Sequence, residues 1–373
     1  MAKKAYIGVD NIARKIKKGY IGVDNIARKI KKAYIGIGGV ARPCWSGGEL
    51  AFYGEITPLS VSRGSLAAAS VGNYALFAGG MDSDKTLFAT VDAYNNSLTH
   101  STPTALSVAR QRLAGASVGN YALFASGTTG TIYDTGNTTV DAYNNSLTRS
   151  TPTVLGTNRG QVTAASVGNY ALFAGGYLYK SGYGQSSEYF SVVDAYNASL
   201  TRSTPTELSE QKDGIAAASV GNYALFAGGS GSKKSVDAYD TSLTRSTPTP
   251  LDNGYSVPKM TTTENYAVCY VGNDYPIEVY NKSLTKITME HVFGSQYGSP
   301  LSEVSFAGYG IFGSLLYQFS PTYIYKNFII AYDDSLTIVW EYDSQLATTG
   351  KFAVVGNYAI NAVSGSAFAL TIA

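Results

Sequence analysis

The chain has 373 residues, of which 45% are hydrophobic and only 14% charged, with a formal net charge of +2. That apolar content and length suffice for a large core, and no run of about 18 apolar residues is present to form a membrane-spanning helix. Two cysteines, Cys44 and Cys269, and two histidines, His100 and His291, supply neither a disulfide framework nor a zinc or histidine-rich metal site, so no metal or cofactor is expected.

The first 45 residues hold eleven Lys or Arg against Asp10 and Asp24, a net +9, while the remainder carries 24 acidic and 17 basic residues. No secretory apolar core or cleavage site follows Met1, so no signal peptide is expected. The segment AYIGVDNIARKIKK (5–18) returns as GYIGVDNIARKIKK (19–32), and a third copy starts at Ala33 and breaks at Pro43. Tyr6, Tyr20 and Tyr34 mark a period of 14. Two readings stand. As heptads, Val9, Ile12, Ile16, Val23, Ile26 and Ile30 occupy a and d positions, but Gly8, Gly19 and Gly22 would each cost about 1 kcal/mol inside that helix. As strands, Tyr-Ile-Gly-Val and Ile-Ala-Arg-Lys-Ile flank a two-residue turn, which is a hairpin pattern. The strand reading is favoured. A lone hairpin cannot bury its apolar face, so these residues are expected to serve attachment or oligomerisation, with a trimer favoured.

Residues 46–373 form the second expected domain. From residue 61 one unit recurs: a basic residue, then Ala-Ala-Ser-Val-Gly-Asn-Tyr-Ala-Leu-Phe-Ala-Gly-Gly, a variable stretch, and Val-Asp-Ala-Tyr-Asn-x-Ser-Leu-Thr-Arg-Ser-Thr-Pro-Thr. The tyrosine after Gly-Asn, or its degenerate counterpart, falls at 74, 121, 170, 223, 266, 309 and 358, spacings of 43–53 residues. Each unit holds short runs rich in Tyr, Val, Phe and Thr bounded by turn residues. Four strands on a period of about 40–50 residues predict a propeller blade. The fold class is therefore all-β, a seven-bladed propeller. Residues 350–373 supply three strands and Leu50–Leu59 resembles a fourth, so the N-terminal strand is expected to complete the last blade and remove an exposed edge.

Gly79-Gly80, Gly175-Gly176 and Gly228-Gly229 at the end of the second strand, with Tyr94, Tyr196 and Tyr239 in the third, resemble the kelch repeat over residues 46–373. The sequence departs from that pattern at Ser126-Gly127. His100, Arg149, Arg202 and Arg245 stand where kelch repeats usually place tryptophan, and the fifth and sixth units lack the double glycine.

In a four-stranded meander, turns 1–2 and 3–4 share one face of the ring, and loops 2–3 with crossings 4–1 share the other. The first face repeats Val-Gly-Asn and Asn-x-Ser-Leu, whereas the 2–3 loops at 81–90, 128–139, 177–192 and 230–235 differ in length and content. Candidate ligand-binding residues on the variable face are Asp82, Asp84, Lys85, Tyr133, Asp134, Tyr177, Tyr179, Tyr183, Tyr189 and Lys233, with Arg110 and Arg159 from the crossings. Tyrosines among Ser and Gly give rigid contact area with adaptable hydrogen bonding, and charged side chains bond hydroxyls.

Catalytic signals are weak. Gly115-Ala-Ser-Val-Gly119 matches a nucleophile-elbow pattern, but sister copies place Ser117 on a strand entering a hairpin. Asp333-Asp334 sits beside a repeated turn and is expected to be solvated. The sequons at Asn95, Asn144, Asn197 and Asn281 carry little weight without a secretion signal. No enzyme is expected.

The stem also resembles N-terminal segments of tail-associated structural proteins from phages and prophages of gut Firmicutes, on its AYIGxxxxAR pattern over about 45 residues. That resemblance implies a virion protein assembled in the bacterial cytoplasm. Residues 1–45 would join other virion proteins and the propeller would bind a bacterial surface glycan or protein. The alternative is a cytoplasmic kelch-type scaffold for a protein partner. Nucleic-acid binding is disfavoured because the basic head has no matching basic stripe on the propeller, and no membrane insertion is expected.

Overall fold

A computed structural model describes residues 6–9, 12–15, 19–23, 26–30, 32–37, 40–46, 50–130, 136–179, 187–254, 258–270, 276–289, 300–318, 324–336, 338–344, 350–363 and 365–372. Among them there is no helix long and apolar enough to cross a membrane. By its contacts the chain divides into two compact units, Met1–Tyr53 with Leu370–Ala373, and Gly54–Ala369.

The 14-residue repeats form three antiparallel hairpins, Tyr6–Val9 with Ile12–Lys15, Gly19–Val23 with Ile26–Ile30, and Lys32–Ile37 with Val40–Ser46. Val9 pairs with Ile12 and Val23 with Ile26, as a two-residue connection requires. In this register Tyr6 lies opposite Lys15, Tyr20 opposite Lys29 and Tyr34 opposite Pro43. The glycines that penalise a helix sit in these strands instead. Ile16 lies outside the described residues.

The rest is a seven-bladed β-propeller, each blade a four-stranded antiparallel sheet. In blade 1 the strands run Ala67–Val71, Tyr74–Ala78, Val91–Asn95 and His100–Ser101, from the axis outward. Blades 2 to 6 begin with inner strands Ala114–Val118, Thr163–Val167, Ala216–Val220, Lys259–Thr262 and Pro300–Phe306. Blade 7 is composite. Its strands Lys351–Val355, Tyr358–Val363 and Ser366–Ile372 are joined by Leu50–Glu55 as the fourth, and the Ile56 amide donates to Ala367 O at 3.0 Å.

Local composition follows position in the ring. Inner strands converge on the axis, so the first four are built of Ala, Gly, Ser, Thr and Val. The second and third strands are covered on both faces by neighbouring blades, which explains why Tyr-Ala-Leu-Phe-Ala and Val-Asp-Ala-Tyr are buried almost continuously rather than alternately. The phenylalanine of the second strand meets the tyrosine of the third edge to face, as Phe77 does Tyr94 at 5.8 Å between centroids. Each such tyrosine reaches back to the preceding crossing. Tyr94, Tyr143, Tyr196, Tyr239 and Tyr280 donate to the carbonyls of Thr57, Thr104, Thr153, Thr206 and Thr249 at 2.7–2.8 Å. Burial, reinforced by the adjacent Asp or Glu, pushes these phenols well above their ordinary pKa, so they act as donors.

Blades are also stitched at the axis. Ser117 Oγ donates to Ser70 O at 2.6 Å, Ser166 Oγ to Ser117 O at 2.7 Å, and Ser219 Oγ to Ser166 O. The ring closes where the Val354 amide of blade 7 donates to Ser70 Oγ at 3.1 Å. Ser117 is thus occupied structurally, as its sister copies imply.

The double glycine has a steric cause. Gly79 and Gly80 adopt φ of 68° and 111°, and a Cβ at either would come within 2.6 Å of Arg110 O or 2.5 Å of Gly64 O. In blade 2, Ser126 takes the first position at φ 62° and donates through Oγ to Arg159 O at 2.6 Å.

Candidate ligand-recognition face

The sequence order of strands fixes what each end of the ring displays. Bridges Gly64 to Met81, Gln111 to Thr128 and Gly160 to Tyr177 clip each crossing onto the 2–3 loop of its own blade. Crossings and variable loops therefore share one face, and the repeated turns share the other.

On the repeated face, Asn95 Oδ1 accepts the amides of Ser97 and Thr99 at 2.9 Å. Asn144, Asn197 and Asn281 do the same in their blades. Asn-x-Ser-Leu-Thr is thus a turn signal, its leucine held at positive φ, which accounts for the sequons at Asn95, Asn144, Asn197 and Asn281. Asp333 caps the equivalent turn through the Ser335 amide at 2.8 Å. Asp334 accepts from Asn265 N and Nδ2 at 2.9 and 2.8 Å, so this carboxylate pair is engaged rather than freely solvated. Two open hollows of about 430 and 610 Å³ lie between these turns, lined by repeated residues such as Asn120, Asn145 and Asn169.

On the variable face the crossings differ from expectation. Arg110 and Arg159 are wholly buried, as are Arg63 and, within 1%, Lys212. Each lies against the aspartate of Val-Asp-Ala-Tyr in its own blade: Arg63 with Asp92 at 2.6 Å, Arg110 with Asp141 at 2.9 Å, Arg159 with Asp194 at 2.8 Å, and Lys212 with Asp237 at 3.1 Å. The guanidinium groups also bond strand carbonyls; Arg159 donates to Gly175 O at 2.7 Å and Phe173 O at 3.2 Å. Burial lowers the pKa of Arg110, Arg159 and Lys212, and the partner carboxylates work against that shift. Arg110 and Arg159 are consequently fasteners between crossing and blade and present no charge to a ligand.

Each aspartate has a second, outward partner in the fourth strand. His100 Nε2 lies 2.6 Å from Asp92, Arg202 Nη1 2.6 Å from Asp194, and Arg245 Nη1 3.5 Å from Asp237. Burial pushes the Asp92 carboxyl up, but the Ser60 amide, Arg63 and His100 outweigh this and hold it below the usual carboxylate value. A depressed native pKa gives stability that is present above the unfolded value and lost as pH falls through the native one. The urea midpoint is therefore expected to fall below about pH 4, with a shallower fall in Asp92→Asn; identical pH profiles would refute this role of Asp92.

The remaining loop residues reach solvent to different degrees. Asp82 caps its own loop through the Thr86 amide at 2.8 Å, leaving Asp84 and Lys85 at the exposed tip. Tyr177 and Tyr189 face each other across a pair of two-residue strands with ring centroids 6.1 Å apart. Tyr189 is 42% and Tyr179 38% exposed, whereas Gln161 Nε2 donates to the Tyr177 hydroxyl at 3.2 Å. Lys233 is paired with Glu210 at 2.7 Å. Tyr133, Asp134 and Tyr183 lie outside the described residues. Among the described residues no group of three or more His, Cys, Asp and Glu is placed to hold a metal ion.

This architecture places the chain among β-propeller proteins. A solved structure of YjhT is similar in fold, with a TM-score of 0.53 at 10% identity, covering 76% of this chain and 99% of that one. No protein-family model matches the chain. No curated protein matches its sequence.

Proposed function

We propose that the propeller is a kelch-type, non-catalytic recognition head of a phage tail or fibre, directed at a bacterial surface glycan or protein, and that residues 1–45 attach it to other virion proteins and to copies of itself. The observation that carries this reading is the contrast between the two faces. Blades 1 to 4 repeat their turns nearly residue for residue, yet the loops clipped to their crossings differ in length and chemistry and expose Asp84, Lys85, Tyr179 and Tyr189. A rigid ring with a diversified face suits recognition, because its loops pay little ordering entropy on binding. The basic hairpin repeat supports the attachment role.

The test is binding of labelled full-length protein to whole cells and purified envelope polymers from a panel of Gram-positive gut bacteria. Saturable binding is expected, weakened roughly tenfold in Tyr179→Ala/Tyr189→Ala, the scale of losing a stacked aromatic contact. Absence of binding to every envelope, or equal binding by the double variant, would remove the support for this face.

A further inference from the structure

Departures from the repeat cluster at the axis. In blades 1 to 4 the inner strand starts at Ala67, Ala114, Thr163 and Ala216. By register Lys259 of blade 5 and Lys351 of blade 7 occupy that same position, each opposite the residue equivalent to Ala78. Glu303 of blade 6 stands one position further on, opposite Phe312. Inner strands begin where the crossings enter, so these three charged side chains sit at the end of the axis that faces the variable loops.

One of the two lysines is paired with that carboxylate. Lys259 Nζ lies 3.4 Å from Glu303 Oε2, with both side chains mostly buried. Lys351 makes no hydrogen bond or ion pair among the described residues. The nearness of Lys259 lowers its pKa, Glu303 opposes that shift, and lost hydration adds to it. Beyond that ion pair, Glu303 Oε2 accepts no hydrogen bond among the described residues. Two ammonium groups against one carboxylate leave a surplus positive charge, which attracts anions. Glu303 Oε2, engaged only in that ion pair, keeps a lone pair for a hydroxyl beside the anion.

We propose that Lys259, Lys351 and Glu303 form an axial binding site for an anionic group flanked by hydroxyls, the two ammonium groups holding the anion and Glu303 Oε2 accepting from a neighbouring hydroxyl. This rests on the reading of the variable-loop face as the ligand face and names the chemistry of its ligand. The anion is a carboxylate or a phosphate of a surface glycan, both of which two lysines accommodate.

The experiment titrates the full-length protein, its lysines carrying 13C-methyl labels, with inorganic phosphate and separately with acetate at constant ionic strength. Saturable shifts of the Lys259 and Lys351 signals are expected. Lys351→Met weakens the affinity roughly tenfold, Glu303→Gln tightens it, and Lys282→Met, in a repeated turn where Lys282 Nζ donates to Asn265 Oδ1, leaves it unchanged. The opposite signs for Lys351→Met and Glu303→Gln separate a site from general damage. Earlier saturation by phosphate identifies a phosphate-bearing polymer as the source, and earlier saturation by acetate a carboxylated one. Shifts that do not saturate, or equal affinity in Lys351→Met, overturn the site. Envelope binding that survives Lys351→Met unchanged would sink the axial site and leave the loop-face reading standing. An axis that titrates in a protein that binds no envelope would do the reverse.

Discussion

Asp194→Ala is expected to destabilise the propeller by about 3–5 kcal/mol, the loss typical of removing one partner from a buried ion pair. The carboxylate is fully buried and accepts from Arg159 Nη2 at 2.8 Å, Arg202 Nη1 at 2.6 Å and the Gly156 amide at 3.0 Å. Without it the Arg159 guanidinium stays locked to strand carbonyls with an uncompensated charge. The measurement is the urea midpoint at unchanged slope. Removing both charges together, in Asp194→Leu/Arg159→Met, is expected to cost markedly less than the two single changes summed. Arg202→Ala, whose side chain is 25% exposed, is expected to cost about 1 kcal/mol or less. Additive losses in the double variant would mean that the pair is not the fastener described.

The blades were legible in the sequence because their determinants are local. Gly72 and its counterparts demand positive φ, the following Tyr starts the second strand, and the spacing of these tyrosines counts the blades. Closure was legible too, since the chain supplies three strands at one end and a spare fourth at the other. The fate of the crossing bases was not. A charged residue in a loop ordinarily stays in water, so Arg110 and Arg159 read as surface groups. The signal that would have corrected this lies in Val-Asp-Ala-Tyr, where a single acid stands in an otherwise apolar strand in each of blades 1 to 4. Burying that acid requires a partner, and one basic residue per crossing is the candidate. The axial lysines had no comparable signal, because Lys259, Glu303 and Lys351 come from three different blades and reach the same end of the axis only in the folded ring.

Closure itself yields the other large effect. Removing residues 1–46 is expected to leave the propeller intact, whereas removing residues 1–55 is expected to lower its stability on the order of 5 kcal/mol, from lost apolar burial and ladder hydrogen bonds. The nine additional residues include Leu50–Glu55, the fourth strand of blade 7, whose Leu50 is 4% exposed. The shorter chain would leave the Ser366–Ile372 strand with an open edge, a template for pairing with another molecule. Thermal melts and light scattering on the two truncations read both consequences: an early melt with aggregation for the second, a propeller-like melt for the first. A synthetic peptide spanning residues 47–57, added in trans, should restore the melt by supplying the missing strand. The same scattering experiment bears on the hairpin stem. A full-length trimer that becomes a monomer on loss of residues 1–46 would support the stem's assembly role, and monomers in both would refute it. Equal melts for the two truncations would mean that the ring is held by the axial serines and buried ion pairs alone, with the N-terminal strand dispensable to closure.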